Sequence, residues 1–152
     1  MKGKLARATV RHVVIDTNVL ISAGLLPNSV SAHALTLAFE RFVMAQNQAT
    51  WHELQDRIVR KKFDRYFGVM GRLDLLARLA QNTTFFEPVA VATDSRDATD
   101  NKFLGLSLDA QATCILSGDR DLQILHPYKT IPIYSPGEFI AEMAGRMSKP
   151  PP

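Results

Sequence analysis

The stretch Val13-Val14-Ile15-Asp16-Thr17-Asn18-Val19-Leu20 constrains the fold more than any other part of the chain. Three β-branched apolar residues run into an aspartate, and apolar character resumes two residues after it. A short apolar run bounded in this way reads as a fully buried strand of a parallel sheet. A carboxylate at the carboxyl end of such a strand lies where open α/β sheets place their sites. Thr17 and Asn18 readily cap a helix, so residues 19–23 should continue as a short apolar helix closed by Gly24. The same order of strand, acid and helix recurs at Cys114-Ile115-Leu116, then Ser117-Gly118-Asp119-Arg120-Asp121, then an apolar helix at 122–125.

The remaining segments fit between these two units. Pro27-Asn28-Ser29 is a turn, residues 31–40 form an amphipathic helix, and residues 42–45 form a second strand, which completes a βαβ unit. Thr50 stands three residues before Glu53, the spacing of a capping box, ahead of a helix with Trp51, Leu54 and Ile58 on its apolar stripe. The spacing predicts another helix over residues 63–80, weakened by Gly68 and Gly71, and its aromatic residues suit a core or a dimer face. Residues 83–89 have strand composition interrupted by Pro88, which suits an edge strand. An acid-rich loop from Asp94 leads into a helix through Gln111, with Asp97 or Asp100 as its cap. Residues 131–134 form a last strand and Ser135 opens a final helix. Strand and helix alternate throughout, so the expected fold is α/β with a mostly parallel sheet.

At 152 residues and 46% hydrophobic content the chain can bury one sizeable core without staples. The expected organisation is a basic lead over residues 1–12, one domain over 13–145, and a flexible proline-rich tail over 146–152. The single cysteine, Cys114, excludes an intramolecular disulfide and any multi-cysteine metal site, which fits a reducing, cytoplasmic setting. No run approaches the length of a membrane span, and the basic amino terminus lacks the apolar core of a signal peptide. A formal charge of +3 is compatible with a polyanionic partner. Its distribution is more telling: basic residues gather at Arg57-Ile58-Val59-Arg60-Lys61-Lys62, and acids gather between Asp94 and Asp100 and at Asp119 and Asp121.

Right-handed βαβ crossovers bring strand ends and helix starts to one edge of the sheet, so Asp16, Glu53, Asp100 and Asp119 can converge. Four adjacent carboxylates raise one another's pKa, at a cost that a bound cation relieves. None of His12, His33, His52 or His126 falls in the patterned segments in a plausible ligand pair and Cys114 belongs to a buried strand, so the ligands would be oxygen atoms, which select Mg²⁺ or Mn²⁺ over Zn²⁺. Such ions can deliver a deprotonated water and neutralise charge developing on a phosphodiester. Thr17, Asn18 and Ser117 stand where they could orient ligands or waters. Arg57, Lys61 and Lys62, on an exposed helix face, could hold a nucleic-acid backbone.

Four segments in order carry a resemblance over residues 13–139: Val-Ile-Asp-Thr-Asn-Val-Leu-Ile-Ser-Ala; Glu53-Leu54 followed by Arg60-Lys61-Lys62-Phe63; Arg-Asp-x-x-Asp-Asn-Lys-Phe-Leu; and Leu-Ser-Gly-Asp-Arg-Asp-Leu. Together they resemble PIN-domain ribonucleases, and more narrowly the VapC-like toxins of bacterial and archaeal type II toxin-antitoxin pairs. The resemblance implies a three-layer α/β fold, a mostly parallel central sheet flanked by helices with the acidic site at its carboxyl edge, together with Mg²⁺- or Mn²⁺-dependent endonucleolytic cleavage of RNA, frequent homodimers, and neutralisation by a small cognate antitoxin. It places the family's four acids on Asp16, Glu53, Asp100 and Asp119, with Asp97 and Asp121 as supporting acids. Ser117 stands where the family most often has threonine, and residues 46–50 depart from the family's strand-then-serine pattern ahead of Glu53. Alternatives are a DNA-cutting relative of the flap-endonuclease type, a PIN-like module that binds RNA or a partner without catalysis, and a receiver-type phosphoacceptor domain. The last expects paired acids at the first strand end and a lysine after the last strand, whereas Asp16 follows Ile15 and Ser135-Pro136 follows Tyr134.

Overall fold

The structure, a computed structural model, describes residues 10–148. The basic lead and the proline-rich tail expected from the sequence lie mostly outside these described residues. Five strands form one sheet: β1 (His12–Ile15), β2 (Val43–Gln46), β3 (Thr83–Phe85), β4 (Cys114–Leu116) and β5 (Ile133–Tyr134). Their order is β3-β2-β1-β4-β5 and every pairing is parallel. β1 is therefore central, with Val13 opposite both Met44 and Cys114, and β3 is an edge strand, as Pro88 had suggested.

Seven α-helices complete the described fold: α1 (Thr17–Leu25), α2 (Val30–Arg41), α3 (Gln48–Ile58), α4 (Val69–Gln81), α5 (Asn101–Asp109), α6 (Arg120–Gln123) and α7 (Pro136–Ser148). The period of two in the strands splits the core into two layers. Val13, Ile15, Met44, Cys114 and Leu116 face one layer with Leu20, Ala38, Leu54, Leu79 and Phe139, from α1, α2, α3, α4 and α7. Val14, Ala45, Ile115 and Ile133 face the other with Phe103, Leu104 and Leu106 of α5 and Leu122 of α6. The result is a three-layer α/β sandwich. Leu54 and Ile58 of α3 are fully buried, and each such side chain stabilises the fold by about 1.5–3 kcal/mol.

Three local expectations change. Gly24 lies inside α1, where a Cβ would come 2.5 Å from a methyl of Leu75; its role is the close approach of α1 to α4, and the helix runs on to Leu25. The helix expected over residues 63–80 begins only at Val69, because Gly68 takes the cap position; before it stands a 3-10 turn over Lys61–Phe63. The helix carrying Glu53 starts earlier than the Thr50 spacing implied. Asn47 is its cap, and Thr50 supplies the returning half of the box: Asn47 Oδ1 accepts from Thr50 N at 3.0 Å while Asn47 N donates to Thr50 Oγ1 at 2.9 Å. Glu53 is thereby released from any capping duty and sits a full turn into α3.

No single helix among the described residues is long and apolar enough to cross a membrane.

Candidate functional site

Because all five strands are parallel, the residues following β1 and β4 emerge on the same edge of the sheet. Asp16 caps α1: its Oδ1 accepts from the amides of Asn18 (2.8 Å) and Val19 (3.2 Å), and its Oδ2 accepts from the Ser117 hydroxyl. Ser117 Oγ in turn accepts from the amide of Asp119 at 3.0 Å, so one buried hydroxyl ties the two strand ends together. Asp119 caps α6 by accepting from Asp121 N at 2.9 Å. Asp16 and Asp119 share a cleft of about 280 Å³ walled by Asn18, Ser22, Ser31 and Pro136.

Asp97, Asp100, Asp119 and Asp121 each bring a carboxylate oxygen within 4.8 Å of the others. Their engagement differs. Asp97 is solvated and caps the 3-10 turn Ala98–Asp100, accepting from the amide and hydroxyl of Thr99, which hold its carboxyl below the usual range. Asp121 accepts from Arg96 at 2.8 and 3.2 Å. Asp100 occupies the cap position of α5 but makes no capping hydrogen bond, and its Oδ2 is buried with no hydrogen-bond partner among the described residues. Burial, the hydrogen bond to Asp119, and the charges of Asp119, Asp97 and Asp16 push the Asp100 carboxyl up to about 7. Burial also raises Asp16, against the opposing hydrogen bonds from Ser117, Val19 and Asn18, and the Asp119 charge adds to the rise.

Glu53 stands apart from this cluster. Its Oε2 accepts from the Thr17 hydroxyl, while Oε1 accepts from Lys102 Nζ at 2.8 Å and Arg57 Nη2 at 3.3 Å. Partial burial pushes Glu53 up, but the hydrogen bonds from Lys102 and Thr17 and the charges of Lys102 and Arg57 outweigh it, leaving the carboxyl below its ordinary value. Arg57 also donates to Asn18 Oδ1 at 2.9 Å, so Thr17 and Asn18 both join the Glu53 side of the site. Of the three basic residues expected on a helix face, only Arg57 belongs to α3, and it turns inward. Lys61 and Lys62 are exposed in the 3-10 turn beyond the helix, with Lys62 Nζ over the Phe63 ring.

Lys102 and Arg96 went unassigned in the sequence. Lys102 lies two residues after Asp100 in a segment already singled out, and the signal available was the need of four clustered acids for positive charge. Cys114 is a packed strand residue whose thiol burial pushes up to about 12.

A divalent cation fits this donor set. The side chains converging here offer oxygen, and Asp100 Oδ2 is a buried acceptor without a hydrogen-bond partner among the described residues, which a bound cation would satisfy. Asp16 accepts three hydrogen bonds, leaving lone-pair capacity on a carboxylate with about four sites. Residues 12–121 match the PIN domain family. The chain belongs to that family. Uncharacterized protein MJ1680 of Methanocaldococcus jannaschii is 33% identical over 112 residues, a span covering 72% of each protein. This PIN domain also superposes on a chain in the crystal structure of VapBC2 from Rickettsia felis bound to a DNA fragment from their promoter. The TM-score is 0.56 at 10% identity, covering 82% of this chain and 98% of that one. At that identity the likeness is one of fold, the same three-layer arrangement.

Proposed function

We propose that this PIN domain is a metal-dependent endoribonuclease that hydrolyses RNA phosphodiester bonds, and that it serves as the toxin of a type II toxin-antitoxin pair. The observation that carries the reading is the buried, unpartnered Asp100 Oδ2 beside Asp119 and Asp16 at the edge of a parallel sheet. Asp16, Asp100 and Asp119 would hold Mg²⁺ or Mn²⁺, with Asp97 and Asp121 supporting from the rim. When bound, such an ion supplies a water acidified enough to attack and neutralises charge developing on the phosphate.

The protein's own contribution is placement. Ser117 fixes the rotamer of Asp16 and the backbone of Asp119 together, which sets the spacing of the two acids. Glu53 completes the site by holding Thr17, Arg57 and Lys102 in one network. Arg57 of α3 and Lys61 and Lys62 of the 3-10 turn beyond it hold the RNA backbone. A small cognate antitoxin as partner is supported by the fold likeness to a chain of a VapBC assembly. Homodimerisation and a cytoplasmic place of action belong to the same reading.

The test uses purified protein, single-stranded RNA and Mn²⁺. Cleavage by the parent should stop on addition of EDTA, and Asp16→Asn, Asp100→Asn and Asp119→Asn should each lose it while unfolding cooperatively. Asparagine is the informative replacement at 16, because it keeps an acceptor for the amides of Asn18 and Val19. Cleavage by Asp119→Asn at the parent's rate would sink the assignment.

A further inference from the structure

Two cations converge on one carboxylate at the border of the acid cluster. Arg57 and Lys102 both pair with Glu53 Oε1, their side chains are 27% and 24% exposed, and neither forms an ion pair with any other described residue. Asp97 feels both charges, but from farther away and fully solvated. Within this trio two cations share one carboxylate, so it carries one more positive than negative charge at the border of the acid cluster, with Lys102 Nζ also donating to the Thr99 carbonyl. Glu53 and Arg57 form one wall of an open cleft of about 650 Å³, continued by Gln48, His52, Arg60 and Pro88. Arg60 also lines it, with no ion pair among the described residues. Asp56, the other acid there, faces His52 at 3.9 Å.

We infer that Arg57 and Lys102 form a phosphate subsite for RNA, with Glu53 as the residue that positions them, and that the cleft along α3 receives the nucleotide joined to that phosphate. The inference rests on the ribonuclease reading for its choice of polymer. A guanidinium in a fixed fork and an ammonium beside it suit the non-bridging oxygens of a diester. The subsite is tied to the acids through the chain: Thr17 donates to Glu53 and follows Asp16 directly, and Lys102 follows Asp100 by two residues.

Binding of a short fluorescein-labelled oligouridylate, followed by anisotropy in EDTA across a salt series, tests this without cleavage. Lys102→Gln and Arg57→Gln should each weaken binding about five- to tenfold and reduce the salt slope by about 0.7, the share of one phosphate contact on a single strand. Lys102→Arg should restore both, and Arg78→Gln, on α4, should change neither. Lys102→Gln with the parent's affinity and slope overturns the subsite. So does a loss of affinity at unchanged slope, the mark of a merely structural role. An acidic-peptide site would bind labelled oligoglutamate as tightly as the RNA, and that result also overturns it. Cleavage in Mn²⁺ is scored separately: a parent that binds through Lys102 but never cuts leaves the subsite standing and removes the ribonuclease reading.

Discussion

Ser117 donates its hydroxyl to Asp16 across 101 residues of sequence and receives the Asp119 amide on the same oxygen. Asp16 is buried and Ser117 fully enclosed, while Asp119 is partly exposed. Ser117→Ala strips a donor from a buried carboxylate and an acceptor from an amide. We expect it to cost about 1.5–3 kcal/mol in urea denaturation, whereas Ser117→Thr keeps the oxygen and costs less. Equal midpoints for the alanine variant and the parent would contradict this.

The raised Asp100 carboxyl predicts an unusual pH profile for the metal-free protein. Its folded value of about 7 lies above the ordinary 3.8, so between these the folded state binds more protons than the unfolded one. Its contribution is present in full below about pH 3.8 and is lost as pH rises through 7. Asp100→Asn should therefore raise the melting temperature by about 2–4 °C at pH 8, after allowing for solvent screening, and leave it unchanged at pH 4. Glu53 runs the other way: its lowered carboxyl stabilises above the ordinary 4.5 and ceases to do so as pH falls through the folded value.

Divalent metal should reverse the first of these trends. At a hundredfold excess over its dissociation constant Mn²⁺ should add about 2.7 kcal/mol of stability, read as an upward thermal shift. The shift should shrink below pH 7, where Asp100 keeps its proton, and should be lost in Asp119→Asn. A shift of the same size at pH 5.5 and pH 8 would count against Asp100 as a ligand.

Gly105 offers a test of packing away from the site. A Cβ there would lie 3.0 Å from the carbonyl oxygen of Ala90, in a segment whose Val89 and Ala90 amides are held by Asp109. Alanine gains about 1 kcal/mol of helix propensity, but overpacking against backbone costs about 1–3 kcal/mol. We expect Gly105→Ala to be destabilising by about 1 kcal/mol in denaturant titrations, and a stabilised variant would refute it.

What could be read from the chain followed from patterns that are local. The strand-acid-helix order at Asp16 and Asp119 was visible because burial on both faces of a parallel strand leaves a continuous apolar run, and because the parallel order of such units fixes which edge their ends share. The surroundings of Glu53 were not visible. Its partners Thr17 and Lys102 come from 36 and 49 residues away, and only the packing of α3 against α1 and α5 brings them within reach. The cap at Asn47 was hidden for a different reason: Thr50 and Glu53 have the spacing of one capping box, but Asn47 and Thr50 form another three residues earlier, and the backbone took that one. The helix expected at 63 gave way to Gly68, whose conformational freedom suits a start better than an interior.

The capping bonds also bear on descent. Asp16 and Asp119 each start a helix with the same carboxylate that would serve chemistry, so a lineage that gave up catalysis would still be held by folding to a short polar residue at both places. Asp100 caps nothing. In the metal-free protein its charge is only a burden, which makes it the acid that selection would release first, and its replacement by asparagine or serine is the mark by which retired members of such a lineage could be told from working ones.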